Sequence, residues 1–116
     1  MLIATAFQLI IMLFAPPATG CMQLENQQYK WQTNSYGLYE LLYQFDLISS
    51  CDKPYRVWVT MQYVDEDGYQ VKEDFTITTV AAGATKHITG STIFIEKVAA
   101  RRVAWIQPSL KTVPVR

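Results

Sequence analysis

Catalytic equipment is scarce in this sequence. Among 116 residues there is one histidine, His87, and two cysteines, Cys21 and Cys51. His87 sits in a threonine-rich stretch with no serine or cysteine beside it in a hydrolase-like arrangement. A lone strand histidine of this kind is more often a half-exposed packing residue than a general base. Cys51 would serve as a nucleophile only if the fold carried His87 to it. Its neighbours Asp52 and Lys53, opposite in sign, give the thiol no net push. A surplus of charge is also missing, since ten basic residues cancel ten acidic ones. That balance argues against a dedicated nucleic-acid binder, which concentrates Lys and Arg on one face. Carboxylates do gather in Asp65-Glu66-Asp67 and Glu73-Asp74, but the Asp-x-Asp-x-Asp-Gly cage with a distant bidentate Glu is absent. A solvated hairpin tip accounts for the same residues. The expectation is a protein that is not an enzyme and needs no metal or cofactor.

A membrane-length apolar run is lacking as well. Met1 to Ala15 is apolar except for Thr5 and Gln8, shorter than the roughly twenty residues a spanning helix needs. Pro16 and Pro17 stop any helix there, and the small residues Ala18-Thr19-Gly20 lead into Cys21. A greasy segment, a breaker and small residues predict a signal peptide over 1–20 and export from the cytoplasm. What remains after cleavage before Cys21 is one domain with a modest core. In an oxidising compartment its two cysteines often pair. Ala18-Thr19-Gly20-Cys21 also resembles the lipobox of bacterial lipoproteins. That resemblance implies lipidation of the Cys21 thiol and leaves Cys51 as a lone thiol. With Met22 where a retention Asp would stand, it further implies an outer-membrane lipoprotein facing the periplasm. Cys21 thus has two fates, a lipid anchor, taken as the leading expectation, or a disulfide with Cys51.

The stretch 21–35 is polar and glutamine-rich and reads as a tether, with at most a short strand around Tyr29–Gln32. From 36 to 110 the signals are those of an all-β domain. Tyr39, Leu41, Tyr43, Phe45 and Leu47 share one face at period two, although a helical stripe through Leu38, Leu41, Leu42, Phe45 and Ile48 is also open; the strand is chosen because the chain beyond it is β throughout. Tyr55–Val64 alternates cleanly and runs into Asp65-Glu66-Asp67-Gly68, an Asp-Gly hairpin signal. The return strand, Tyr69–Thr79, carries Val71, Phe75 and Ile77 at even spacing. Lys86–Ile95 comes next with a bulge or kink at Gly90, then a loop at Glu96–Arg102 and a last strand at Val103–Gln107. Pro108 and Pro114 are expected to end pairing and leave 111–116 as a frayed tail. Short strands at this spacing predict a single antiparallel Ig-like β-sandwich of about seven strands.

Tyr55-Arg-Val-Trp-Val-Thr-Met-Gln-Tyr-Val-Asp-Glu-Asp-Gly68, with Val80-Ala-Ala-Gly83 after it, resembles small Ig-like or fibronectin-like bacterial sandwiches. Among these are the periplasmic lipoproteins of the YcfL-like and FxLYD-type groups. The resemblance implies a fold and a location and transfers no catalytic residue. Three tryptophans, seven tyrosines and five phenylalanines are many for so short a chain. Trp58 falls opposite Val57 and Val59 and beside Arg56; left open, that pair makes a partner-binding anchor, and covered by the second sheet or by Trp31 it is only packing. Two functions are expected. One is a lipid-anchored envelope module that binds a partner protein. The other is a soluble periplasmic chaperone-like or assembly factor with a Cys21–Cys51 disulfide.

Overall fold

The computed structural model describes residues 18–115; the greater part of the expected signal peptide lies outside them. Within that span, alternating side chains build two antiparallel sheets. One holds β1 (Ala18–Thr19), β2 (Met22–Thr33), β3 (Tyr39–Ser49) and β6 (Thr85–Phe94), in the order β1-β2-β3-β6. The other holds β4 (Tyr55–Val64), β5 (Gln70–Val80) and β7 (Trp105–Pro114), in the order β5-β4-β7. Four strands over three is the partition of Ig-like sandwiches; the order within the sheets is this chain's own. The protein is an all-β sandwich of seven strands with one short helix, α1 (Lys97–Arg102), between β6 and β7.

The core lies where the two central strands face each other. Leu41, Tyr43, Phe45 and Leu47 of β3 and Val57, Val59, Met61 and Tyr63 of β4 are all buried. Each such side chain removed from water contributes about 1.5–3 kcal/mol, so period two in these strands fixes which way both sheets face. The helical alternative for residues 36–48 is thereby settled in favour of the strand. Gly90 neither bulges nor kinks β6, for its pairing with Tyr43 lies within an unbroken register. It is glycine because the Tyr43 ring lies across it, where any Cβ would collide.

Residues 22–33 form a strand, not a tether. Met22 and Leu24 are buried, and Tyr29 and Trp31 pack against the core. The alternation changes parity between them because a bulge between Glu25 and Gln28 inserts one residue. Asn26 supplies the left-handed backbone there, at φ 58°, a conformation Asn tolerates better than most residues. Residues 97–102 are helical where a loop was expected. The expected tail is also a correction, because β7 pairs with β4 as far as Tyr55 opposite Pro114. Pro108 and Pro114 survive in it because β7 is an edge strand. The Thr19 hydroxyl donates to the Leu110 carbonyl (3.3 Å), so even-numbered residues of β7 face away from β4, and both prolines are even-numbered. Neither position owes an amide to the ladder.

At the end of the sandwich where β2 begins, Cys21 is joined to Cys51 by a disulfide, with Cα atoms 5.0 Å apart. The Ser50 amide donates to the Cys21 carbonyl (2.8 Å) and the Cys51 amide to Ser49 Oγ (3.1 Å), so the loop is already folded around the bond. Of the two expectations for Cys21, the bond drawn here is the disulfide with Cys51, and no described cysteine is free.

Candidate functional site

Strand β5 is built inside out. Its side chains facing the other sheet are polar: Asp74, Thr76 and Thr78 are half-buried, while Phe75 is 60% and Ile77 48% exposed. A bulge is the cause. Tyr63 pairs with Lys72, but Val64 pairs with Gln70, which leaves Val71 as the extra residue. Val71 packs against the core; two residues further along the parity has flipped, and Phe75 and Ile77 point to water.

The inward polar side has its own chemistry. Thr92 Oγ1 donates to Asp74 Oδ2 (2.7 Å). With its proton so committed, Thr92 accepts from the Tyr63 hydroxyl, also at 2.7 Å. Tyr63 is fully buried, and burial pushes its hydroxyl pKa well up, so it remains a donor. This chain ties β4, β5 and β6 together across the gap between the sheets, and a buried polar group so satisfied avoids the penalty of an orphaned one.

The outward side continues onto β4 and β7. Trp58 lies in the central strand with Ile77 directly opposite on one side and Lys111 on the other. Lys111 Nζ stands 5.8 Å from the Trp58 ring centroid, within range of a cation–π contact. Thr60 pairs with Phe75, and Arg56 pairs with Thr79 and with the exposed Val113. The two residues singled out in the sequence, Trp58 and Arg56, therefore do share one solvent-facing surface. The second sheet does not cover them, and neither does Trp31, which packs on Phe94 (5.3 Å) and Tyr39 (6.3 Å). Phe75 and Ile77 complete the surface and were missed as site residues, since their even spacing with Val71 reads as one buried face. Trp58, Phe75 and Ile77 thus lie together on the outer face, with Arg56 beside them and Lys111 over the Trp58 ring.

The other places that drew notice are differently engaged. His87 Nδ1 is 2.7 Å from Asp46 Oδ1, and Asn26 donates to the other oxygen of that carboxylate (2.8 Å). These hydrogen bonds, that from His87 foremost, hold the Asp46 pKa below its ordinary value. Cys51 lies in the disulfide, apart from this pair. At the acidic hairpin, Asp65 Oδ1 accepts the amides of Asp67 (3.0 Å) and Tyr69 (2.9 Å), and Oδ2 accepts from Arg102 (3.0 Å). Arg102 chiefly, then the Tyr69 amide, lowers the Asp65 pKa. Among the described residues no three of His, Cys, Asp and Glu converge as metal ligands. A shallow depression of about 650 Å³ lies on the outer side of the four-stranded sheet. The Gln28–Gln44 amide pair, Thr89 and Ser91 line it around Leu42.

No family model matches the chain, and no curated protein matches it. Among solved structures it is similar to the crystal structure of Campylobacter jejuni cj0090. The identity is 19%, over 74% of this chain and 83% of that one, with a TM-score of 0.43. A likeness at that level carries no argument about function.

Proposed function

We propose that this protein is an exported, non-catalytic binding module that docks a partner protein on Trp58, Phe75 and Ile77. Arg56 and Lys111 address carboxylates on that partner. One observation carries the reading: β5 turns its two large apolar side chains to water while facing threonine and aspartate inward. Burial of apolar area by itself favours the opposite arrangement, because leaving Phe75 60% and Ile77 48% exposed forgoes about half of the 1.5–3 kcal/mol that full burial of each contributes. Binding is the use that offsets that loss. The Cys21–Cys51 bond supports a disulfide-closed exported protein over the lipid-anchored form. It also favours an oxidising compartment for the molecule. The mass of the mature protein isolated from cells tests this part: a closed disulfide without a diacylglyceryl group is the expected result, and a lipidated Cys21 with a free Cys51 thiol would refute it.

The docking surface is tested by photocrosslinking in cells from a reactive residue placed at Thr79, with one at Thr89 on the opposite sheet as control. A recurrent exported partner is expected from Thr79 only, and Trp58→Ala should remove it. Against the purified partner, Trp58→Ala is expected to weaken binding by at least about 2 kcal/mol, as for a central aromatic anchor. Arg56→Glu should slow association and reduce its sensitivity to salt. Equal adducts from both faces, or affinity indifferent to Trp58, would sink the proposal.

A further inference from the structure

Strand β5 is the last strand on its side of the three-stranded sheet. The opposite edge, β7, is protected by Pro108 and Pro114. From Phe75 to Val80 the β5 edge reads Phe-Thr-Ile-Thr-Thr-Val, with no charge, proline or glycine. Such a segment is a template for another strand. Two side chains show which backbone groups point outward: Asp74 Oδ1 accepts the Phe75 amide (2.8 Å), and Lys86 Nζ donates to the Thr79 carbonyl (3.2 Å). Alternate residues of a strand present their backbone groups to the same side. Phe75, Ile77 and Thr79 therefore all face the edge, and a strand added there takes over the Phe75 amide from Asp74 and the Thr79 carbonyl from Lys86.

We propose that a second copy of this chain adds its own β5 here, antiparallel, about a two-fold axis through Thr76. Polar and apolar residues alternate symmetrically around that residue, Asp-Phe-Thr-Ile-Thr. In this register Thr76 meets Thr76 of the second copy, and Phe75 meets its Ile77. Asp74 meets Thr78, and Glu73 meets Thr79. Charge narrows the register. Centring on Asp74 would set two carboxylates against each other, whereas centring on Thr76 opposes no like charges. It also brings Glu73 of each copy to Thr79 of the other, where Lys86 already stands, so opposite charges meet twice. The outward-facing residues pair in hydrogen-bonded positions and Thr76 falls in a non-hydrogen-bonded one, as antiparallel geometry requires. The product is a continuous six-stranded sheet in which Trp58, Ile77 and Phe75 of the second copy form one apolar face across the axis. The dimer is independent of the partner-docking proposal: a monomer that still binds through Trp58 defeats the dimer alone.

Sedimentation of the purified, oxidised protein in a series reaching about 100 μM tests it, since a dimer with a micromolar constant is largely formed there. The expected result is twice the monomer mass. Ile77→Pro should give a monomer with unaltered circular dichroism, because the amide at that position faces out and a proline there removes no ladder bond. Thr79→Glu, fully on the surface, should weaken the dimer by setting it against Glu73, and adding Glu73→Lys should restore it. Thr76→Cys should form a symmetric cross-link on mild oxidation, and Thr78→Cys should not. A protein monomeric throughout, a dimer indifferent to Thr79→Glu, or cross-linking at Thr78 in preference to Thr76 would overturn the proposal.

Discussion

Breaking the Cys21–Cys51 bond separates what the cross-link contributes from what the strands around it contribute. The two cysteines are 30 residues apart. In the chain-entropy account, closing a loop of that length removes about 12 cal/mol/K from the unfolded chain, or about 3.6 kcal/mol at 25 °C. A domain of this size has about 5–15 kcal/mol in all, so the bond is a large share. The folded state should persist without it, because Met22 still pairs with Ser49 and the Ser50 amide still reaches the Cys21 carbonyl. Urea unfolding of Cys21→Ala, Cys51→Ala and the double variant is the assay. Each single change destroys the same bond, so all three are expected to lose about 3–4 kcal/mol, with strong non-additivity. Cys51→Ala should lose slightly more, since Cys51 is part of the buried core. The denaturant slope should also steepen in all three as the unfolded chain expands. Losses below about 1 kcal/mol, or losses that add in the double variant, would refute the view that this bond acts by restraining the unfolded chain.

Tyr63→Phe is expected to destabilise by about 1 kcal/mol, the ordinary worth of a net hydrogen bond. Thr92→Val should cost more, because it strands both the Tyr63 hydroxyl and Asp74; a double-mutant cycle measured by thermal unfolding checks the coupling. Gly90→Ala should cost about 1–3 kcal/mol by forcing the Tyr43 ring off its strand, read from the urea midpoint. The Asp65 carboxyl, held below the usual range by Arg102, contributes stability that is fully present above the unfolded aspartate pKa. That contribution is lost as pH falls through the lower folded value. Asp65→Asn should therefore flatten the acid limb of the stability–pH curve and leave its shape near neutrality unchanged; an unaltered acid limb would count against the ion pair.

Strands are legible in the sequence wherever alternation runs unbroken, as along β3 and β4. In β2 and β5, where side chains take faces that the sequence does not announce, a bulge shifts the parity. Met22 and Leu24 sit at even positions and Tyr29 and Trp31 at odd ones, so no single face emerges from the residue order; the residue inserted between Glu25 and Gln28 reconciles them. The glutamine-rich stretch that reads as a tether is an amphipathic strand whose outer side is polar. The end of β7 is hidden for a different reason. Proline reads as a stop, although an edge strand has outward-facing positions that need no amide, and Pro108 and Pro114 occupy two of them.

The site is half legible for the same reason. The uninterrupted alternation of β4 puts Trp58 and Arg56 on the outer face, and they are there. Phe75 and Ile77 group with Val71 because all three share parity, yet Val71 is the bulged residue and packs inward. The signal that could have separated them is the other half of β5. A strand that carries Asp74, Thr76 and Thr78 on one side and Phe75 and Ile77 on the other does not declare which side is the core. Only the demands of its neighbours decide, and here the buried Tyr63 hydroxyl and Thr92 need a carboxylate that Asp74 supplies. The polar chain inside and the apolar surface outside are one structural choice. Any substitution that turned Phe75 inward would leave Thr92 facing hydrocarbon, so the fold holds Phe75 outward by the same hydrogen bonds that tie its two sheets together.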